Sequence, residues 1–356
     1  FMNNKIKLAV AGAVLSAASV ANAGIIIPAG DWTIDINGNV NAFANFVNSD
    51  ERNGAAFSGG IATGEDGTGE GSQVGISTGL LPSWLGFTGT TRQNDLDVSF
   101  TISMQPNASA NGATGDGAAG DGGNSFLARQ AFVTFGDKSW GTVKLGKDLG
   151  VFASQAILND MTLLGVGAGA NTSGPAINTT LGGIGSGYIY PAWKGQIAYT
   201  TPNMNGFSAT VAITNPNQGQ FGDGYAIAAA SGASAVDTVA TELYQDRFGI
   251  EAQAMYEFTG EVAGKVWVSG ASYDVTADAQ SLTAGDPDAT GSANSDSYTA
   301  SVYDIGVNLN MGNAGLTAYY YNGKGVGTTL MGSLGVFNNA SGSLKKRDSD
   351  GGYLQA

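Results

Sequence analysis

Five stretches of this chain alternate apolar with polar side chains, and a strand is the local structure that turns such a pattern into two distinct faces. In the first, Ile34, Ile36, Val40, Ala42, Ala44 and Phe46 share one parity. Asp35, Asn37, Asn39, Asn41 and Asn45 hold the other, with Phe43 as an exception. In the second, Leu96, Val98, Phe100, Ile102 and Met104 alternate with Asp97, Ser99, Thr101, Ser103 and Gln105. The remaining three set Phe207, Ala209, Val211 and Ile213 against Ser208, Thr210 and Thr214; Phe248, Ile250, Ala252, Ala254, Tyr256 and Phe258 against Glu251, Gln253 and Glu257; and Tyr303, Ile305, Val307, Leu309 and Met311 against Asp304, Asn308 and Asn310. Each is roughly eight to twelve residues, the length needed to cross a bilayer at a steep tilt. A soluble β-sandwich alternates as well, so the period alone leaves two architectures open.

The connections separate them. Residues 73–88, 126–135, 140–149, 196–201, 265–275 and 316–322 read as further strands, with alternation blurred by Gly and by mixed faces. Short turns fall at 136–139, 202–206, 259–264 and 311–315, each with the Gly, Asn, Asp or Pro that a tight reversal needs. Long connections rich in Gly, Ser, Ala, Asn and Asp fall at 48–71, 106–124, 215–245, 276–297 and 323–350. Short and long connections alternate along the chain. Membrane barrels do this, with short turns at one rim and long loops at the other, whereas a sandwich has no reason to. The expectation is therefore an all-β chain, a transmembrane antiparallel β-barrel with about twelve strands visible of a probable sixteen. A last strand begins at Gly352-Tyr353 and the sequence stops at Ala356, so the barrel is expected to be incomplete at its C-terminus.

Compartment follows from the N-terminus. Lys5 and Lys7 precede an apolar run from Leu8 to Val20, and Ala21-Asn22-Ala23 supplies the small-x-small pattern of a cleavage site before Gly24. That order specifies a secretory signal peptide over 1–23, with the barrel over 24–356. Removing it takes away two lysines and no acids, moving the net charge from −14 to −16. There is no Cys, so no disulfide framework holds this exported chain, and no His. Without either residue the common Ser–His and Cys–His nucleophile pairs are excluded, and no paired-carboxylate constellation emerges from spacing. The expectation is not an enzyme. Strong acidity without basic runs argues against nucleic-acid binding. Gly115-Asp116-Gly117, Gly120-Asp121-Gly122 and Asp348-Ser349-Asp350-Gly351-Gly352 have the chemistry of calcium ligands but lack the nonapeptide repeat of a calcium β-roll, and are taken as acidic loop tips. No metal or cofactor is assigned.

The stretch Arg129-Gln-Ala-Phe-Val-Thr-Phe-Gly-Asp-Lys-Ser-Trp-Gly-Thr-Val-Lys-Leu-Gly-Lys147 resembles the Gram-negative trimeric porin family: an Arg-x-Ala-aromatic strand, a turn, then Gly-Thr-Val-x-Leu-Gly and a basic residue. Leu85-Gly86-Phe87-Thr88-Gly89 resembles that family's second strand. The resemblance implies a homotrimer of barrels of about 16 strands in the outer membrane, bounded by lipid and lipopolysaccharide, each passing ions and small hydrophilic solutes passively. It also implies a long third loop folded into the lumen, here 150–190, with basic wall residues facing acidic loop residues across a constriction. By position Arg129 and Lys147 are the wall residues, and Asp148 with Asp160 the loop side. Residues 153–164 have room for a short helical turn. The chain departs from the family at Trp84, where an arginine is usual, and at 188–192, which brings no basic residue. A thin basic ladder in an acidic chain implies cation preference. The alternatives are a solute-specific channel, with Tyr188, Tyr190 and Trp193 as a sugar path, and a calcium-binding adhesin or structural barrel. Trp32, Trp140, Trp267, Tyr319, Tyr320 and Tyr321 are candidates for an interfacial girdle.

Overall fold

A computed structural model of the chain describes residues 25–49, 71–77, 79, 81–106, 126–163, 183–215, 226–228, 240–244, 247–280, 294–328, 331–338 and 344–356. The signal peptide expected over 1–23 and the Asp-Gly clusters between 115 and 122 lie outside these residues. The chain divides into two units, Phe1–Asp148 with Leu158–Gly183, and Leu149–Ile157 with Ile184–Ala356.

Unit one holds β1 (Ile25–Ala29), β2 (Trp32–Asn39), β3 (Phe43–Ser49), β4 (Gly71–Ser77), β5 (Trp84–Gln93), β6 (Leu96–Pro106), β7 (Phe126–Asp137) and β8 (Gly141–Leu149). Neighbours run antiparallel in the order β1-β2-β5-β6-β7-β8, and β3 pairs with β4. Register carries the alternation across the sheet. One row reads Ile34, Gly89, Phe100, Val133, Leu145, and the next reads Ile36, Phe87, Ile102, Ala131, Lys147. Phe100 covers Gly89 so closely that a Cβ there would fall on its ring. The opposite face is a hydroxyl and amide ladder: Thr88 meets Thr101 at 3.2 Å, Ser99 meets Thr134, and Ser103 donates to Gln130 at 3.0 Å.

One reversal escapes the sequence pattern. Asn94 and Asp95 join β5 to β6 with φ of 49° and 61°, the left-handed pair of a two-residue hairpin turn. Asn and Asp tolerate that region better than other side-chain-bearing residues, which is the local reason the chain turns there.

Unit two holds β9 (Trp193–Thr200), β10 (Phe207–Thr214), β11 (Ala226–Ala228), β12 (Ala240–Tyr244), β13 (Gly249–Phe258), β14 (Ala263–Gln280), β15 (Asn294–Met311), β16 (Ala314–Lys324), β17 (Ser333–Asn338), β18 (Leu344–Lys346) and β19 (Asp348–Gln355). The main antiparallel run is β9-β10-β13-β14-β15-β16-β19; β12 lies beside β14, and β11-β17-β18 form a small separate sheet. At 18 residues each, β14 and β15 are longer than the sequence pattern suggested. Crossing the bilayer takes about 9–11 residues, so their outer halves stand clear of it.

Burial here is inverted relative to a soluble protein. On β13, Ile250 is 54% exposed while its neighbour Glu251 is fully buried. On β15, Ile305 is 55% exposed beside Asp304 at 2%. Val211, Ile213, Val266, Val268 and Tyr303 share the exposed face, whereas Gln196, Ser269 and Thr317 are buried on the other. Aliphatic side chains out and polar groups in is the arrangement lipid demands. Among the described residues no helix is long and apolar enough to cross a membrane.

Candidate functional site

The long connection after β8 does not leave the sheet as free chain. It turns at Gly150, whose N–H bonds the Ala192 carbonyl at 2.9 Å, tying the two ends of the loop together within unit two. A Cβ at Gly150 would fall on the Pro191 carbonyl oxygen, so only glycine fits. Val151 then packs with Ala198 and Ala212, small residues on β9 and β10. Ala153 takes a left-handed φ of 59°, a strained state for a residue with a Cβ that surrounding contacts must hold. The helix α1 (Ser154–Leu158) follows, a single turn where the sequence allowed one. Phe152, Ala153 and Ala156 are completely buried.

Polar groups of the inward face meet this segment one after another. Glu251 on β13 accepts the Val151 N–H at 2.5 Å and the Phe152 N–H at 2.9 Å on Oε2. Its Oε1 accepts Lys194 Nζ of β9 at 2.5 Å and the Tyr273 hydroxyl of β14. Lys194 also reaches the Tyr273 oxygen at 3.0 Å. The Ala153 N–H points at Ser269 Oγ, which donates to Asp304 Oδ1 at 2.6 Å, and Tyr319 donates to Asp304 Oδ2 at 3.1 Å. Gln253 Nε2 bridges the Val151 carbonyl at 3.3 Å and Ser154 Oγ at 3.0 Å, and Tyr353 of β19 donates to the Ala156 carbonyl at 2.6 Å. Three strands, β13, β14 and β19, thus bond residues 151–156 directly, and side chains of β9, β15 and β16 stand behind them.

In unit one, the residues singled out from the sequence occupy different settings. Asp148 is buried on β8, accepts Gln130 Nε2 at 3.0 Å and pairs with Lys144. Lys144 lies four residues before it on the same face, and between them Gly146 has a φ of 125° and no room for a side chain against the Ala131 carbonyl. That local distortion brings the two charges together. Arg129 is buried at an irregularity in β7: Ser103 pairs with Gln130 and Met104 with Ala128, so β6 passes over Arg129. Lys147 falls in the apolar row opposite Ala131 and donates to the Ala128 carbonyl at 2.9 Å. Asp160 is buried and folds its own loop, accepting the Thr162 N–H at 2.9 Å, the Thr162 hydroxyl at 2.7 Å and the Gly183 N–H at 3.0 Å.

Sequence reasoning missed Lys144, Gln130, Lys194 and the role of Glu251. Parity marked Gln253 and Glu251 as inward, and would have placed Lys144 with Asp148. Lys194 stands two residues beyond the stretch inspected for a basic group. Tyr188, Tyr190 and Trp193 are all buried. Tyr188 packs edge-on against Tyr319 at 6.5 Å and Tyr353 at 5.8 Å between ring centroids. Of the girdle candidates, Trp267, Tyr319 and Tyr321 are buried on the inward side and Tyr320 is exposed on the other. Asp348 to Gly352 is not a loop tip: it is the first part of β19, with Asp348 opposite Lys324 at 3.4 Å.

A sequence profile of the Gram-negative porin family matches residues 8–345. In fold, the chain is similar to the outer membrane channel DcaP of Acinetobacter baumannii, at 15% identity over 92% of this chain and 74% of that one, with a TM-score of 0.56. Weaker likenesses include OmpF of Salmonella typhi in complex with daunomycin (15% identity, 92% and 74% covered, TM-score 0.45) and an anion-selective porin from Comamonas acidovorans (17%, 82% and 74%, TM-score 0.38). No curated protein sequence matches the chain. The profile, the channel-like fold and the inverted burial agree on a transmembrane antiparallel β-barrel.

Proposed function

Because this chain belongs to the Gram-negative porin family, and so forms an outer-membrane channel for passive diffusion, we propose that it is a general channel for ions and small hydrophilic solutes, with a preference for cations. The observation that carries this reading is the docking of residues 149–156 on the polar inward face of β9, β13, β14 and β19. A connection held against that face fits the narrowing of a lumen that the channel reading requires. The solute-specific alternative would use Tyr188, Tyr190 and Trp193 as a sugar path, and their burial weighs against it.

Arg129, Lys147, Asp148 and Asp160 are the constriction charges we assign, with Lys144 added because it pairs with Asp148. Of these, Lys147 enters by its motif position, and its row on the sheet is otherwise apolar. Cation preference draws on the net charge of −14 and on the pairing of Lys144 and Lys194 with carboxylates. The reading includes a homotrimer, contact of the exposed aliphatic face with lipid and lipopolysaccharide, and export with cleavage after Ala23. Zero-current potential across a bilayer in a potassium chloride gradient tests the selectivity: potassium should carry more current than chloride, and the reverse sign refutes the preference. Amino-terminal sequencing of the outer-membrane form should begin at Gly24, and any later or earlier start removes that cleavage site.

A further inference from the structure

Glu251 is wholly excluded from solvent, a costly place for a carboxylate unless every lone pair is engaged. Its two oxygens take four donors, which is the full capacity of the group. Two donors, Lys194 and Tyr273, belong to the wall; the other two, the Val151 and Phe152 N–H groups, belong to the connection. The residues around it are shaped to the same end. Ala212, directly across from Glu251 on β10, is small enough for Lys194 to reach over that strand from β9. Gly150 is the only residue type that fits against Pro191, Lys194 and Glu251 at once. Strain at Ala153 is tolerated immediately after the two N–H groups that the carboxylate holds.

We propose that Glu251, charged and balanced by Lys194 and Tyr273, is the latch that positions the inward connection and through it sets the open cross-section of the pore. Only the consequence for the pore rests on the channel reading; the latch itself is a statement about docking. Without the carboxylate, two backbone N–H groups and an ammonium lose their acceptor together, and the segment exchanges between docked and released positions. Glu251 and Lys194 are positioning residues and touch no solute.

The absence of cysteine makes the test clean. Ile157→Cys places a single thiol on α1, where the native side chain is 8% exposed. In the refolded barrel a charged maleimide should label it slowly. Adding Glu251→Gln should raise the labelling rate on the order of 100-fold, the shift expected when a buried ion pair loses one partner, while the folded, SDS-resistant mobility of the barrel is kept. Lys194→Met, which preserves length but not charge, should also label fast; a slow rate there would reduce the cluster to packing and overturn the latch. An unchanged rate with Glu251→Gln in a folded barrel overturns it too, as does fast labelling of the parent thiol variant. Should Glu251→Gln not fold, Tyr273→Phe removes one donor without a charge and should speed labelling about tenfold, and no change there is equally fatal. Labelling requires no current, so a chain that fails to conduct would lose the channel reading while these rates still decide the latch.

Discussion

Glycine matters here where two backbones or a backbone and a charge must nearly touch. Gly146 sits at φ 125° against the Ala131 carbonyl, and its distortion lets Lys144 reach Asp148. Gly146→Ala should lower barrel stability by about 1–3 kcal/mol, the usual cost of a strained backbone position, as read by urea unfolding in lipid vesicles; an unaltered midpoint would mean the strain is not there. Selectivity belongs to this scale as well. Lys144→Met removes a positive charge next to Asp148 and should raise the potassium-to-chloride permeability ratio, and Asp148→Asn should lower it; opposite signs from reversal potentials would remove both from the pore path. The charged pairs were only half legible in the sequence. Arg129, Lys147, Asp148 and Asp160 were chosen from motif position, but which cation meets which carboxylate depends on a glycine distortion and a strand irregularity that leave no periodic trace. Asp160 illustrates the limit: its type marks it as a constriction acid, yet it accepts bonds from Thr162 and Gly183 of its own loop.

Strands were the most readable level, because two-residue alternation is a direct record of which face meets lipid. Leu96 to Gln105 and Gly249 to Phe258 follow the expected parity almost residue for residue. Outer halves of β14 and β15 were taken for loop, since beyond the bilayer neither face needs to be apolar and the sequence falls to Ala, Ser, Asp and Thr. The pleat nonetheless continues, paired from Ala263 with Asn310 to Ala279 with Asn294. Facing can be tested on one strand. Ile305→Arg puts a charge on the lipid side and should cost about 2–4 kcal/mol near the bilayer midplane, whereas Asn308→Arg on the inward side should cost far less. Equal losses in vesicle unfolding experiments would contradict the assignment of faces.

For the molecule as a whole, the outer-membrane barrel architecture was open to sequence reasoning because it depends on order and composition: dispersed hydrophobicity, and short turns alternating with long loops. How the connection after β8 lies on the inward face was closed to it, because that depends on Glu251, Asp304, Gln253 and Tyr353 from three separate strands. The central claim is that these strands surround an open, water-filled path. Single-channel conductance in a planar bilayer tests it most directly, with the mature chain refolded in detergent and its folded state verified by heat-modifiable mobility. The account predicts stepwise openings in groups of three with cations carrying most of the current. A folded protein that passes no current would contradict it.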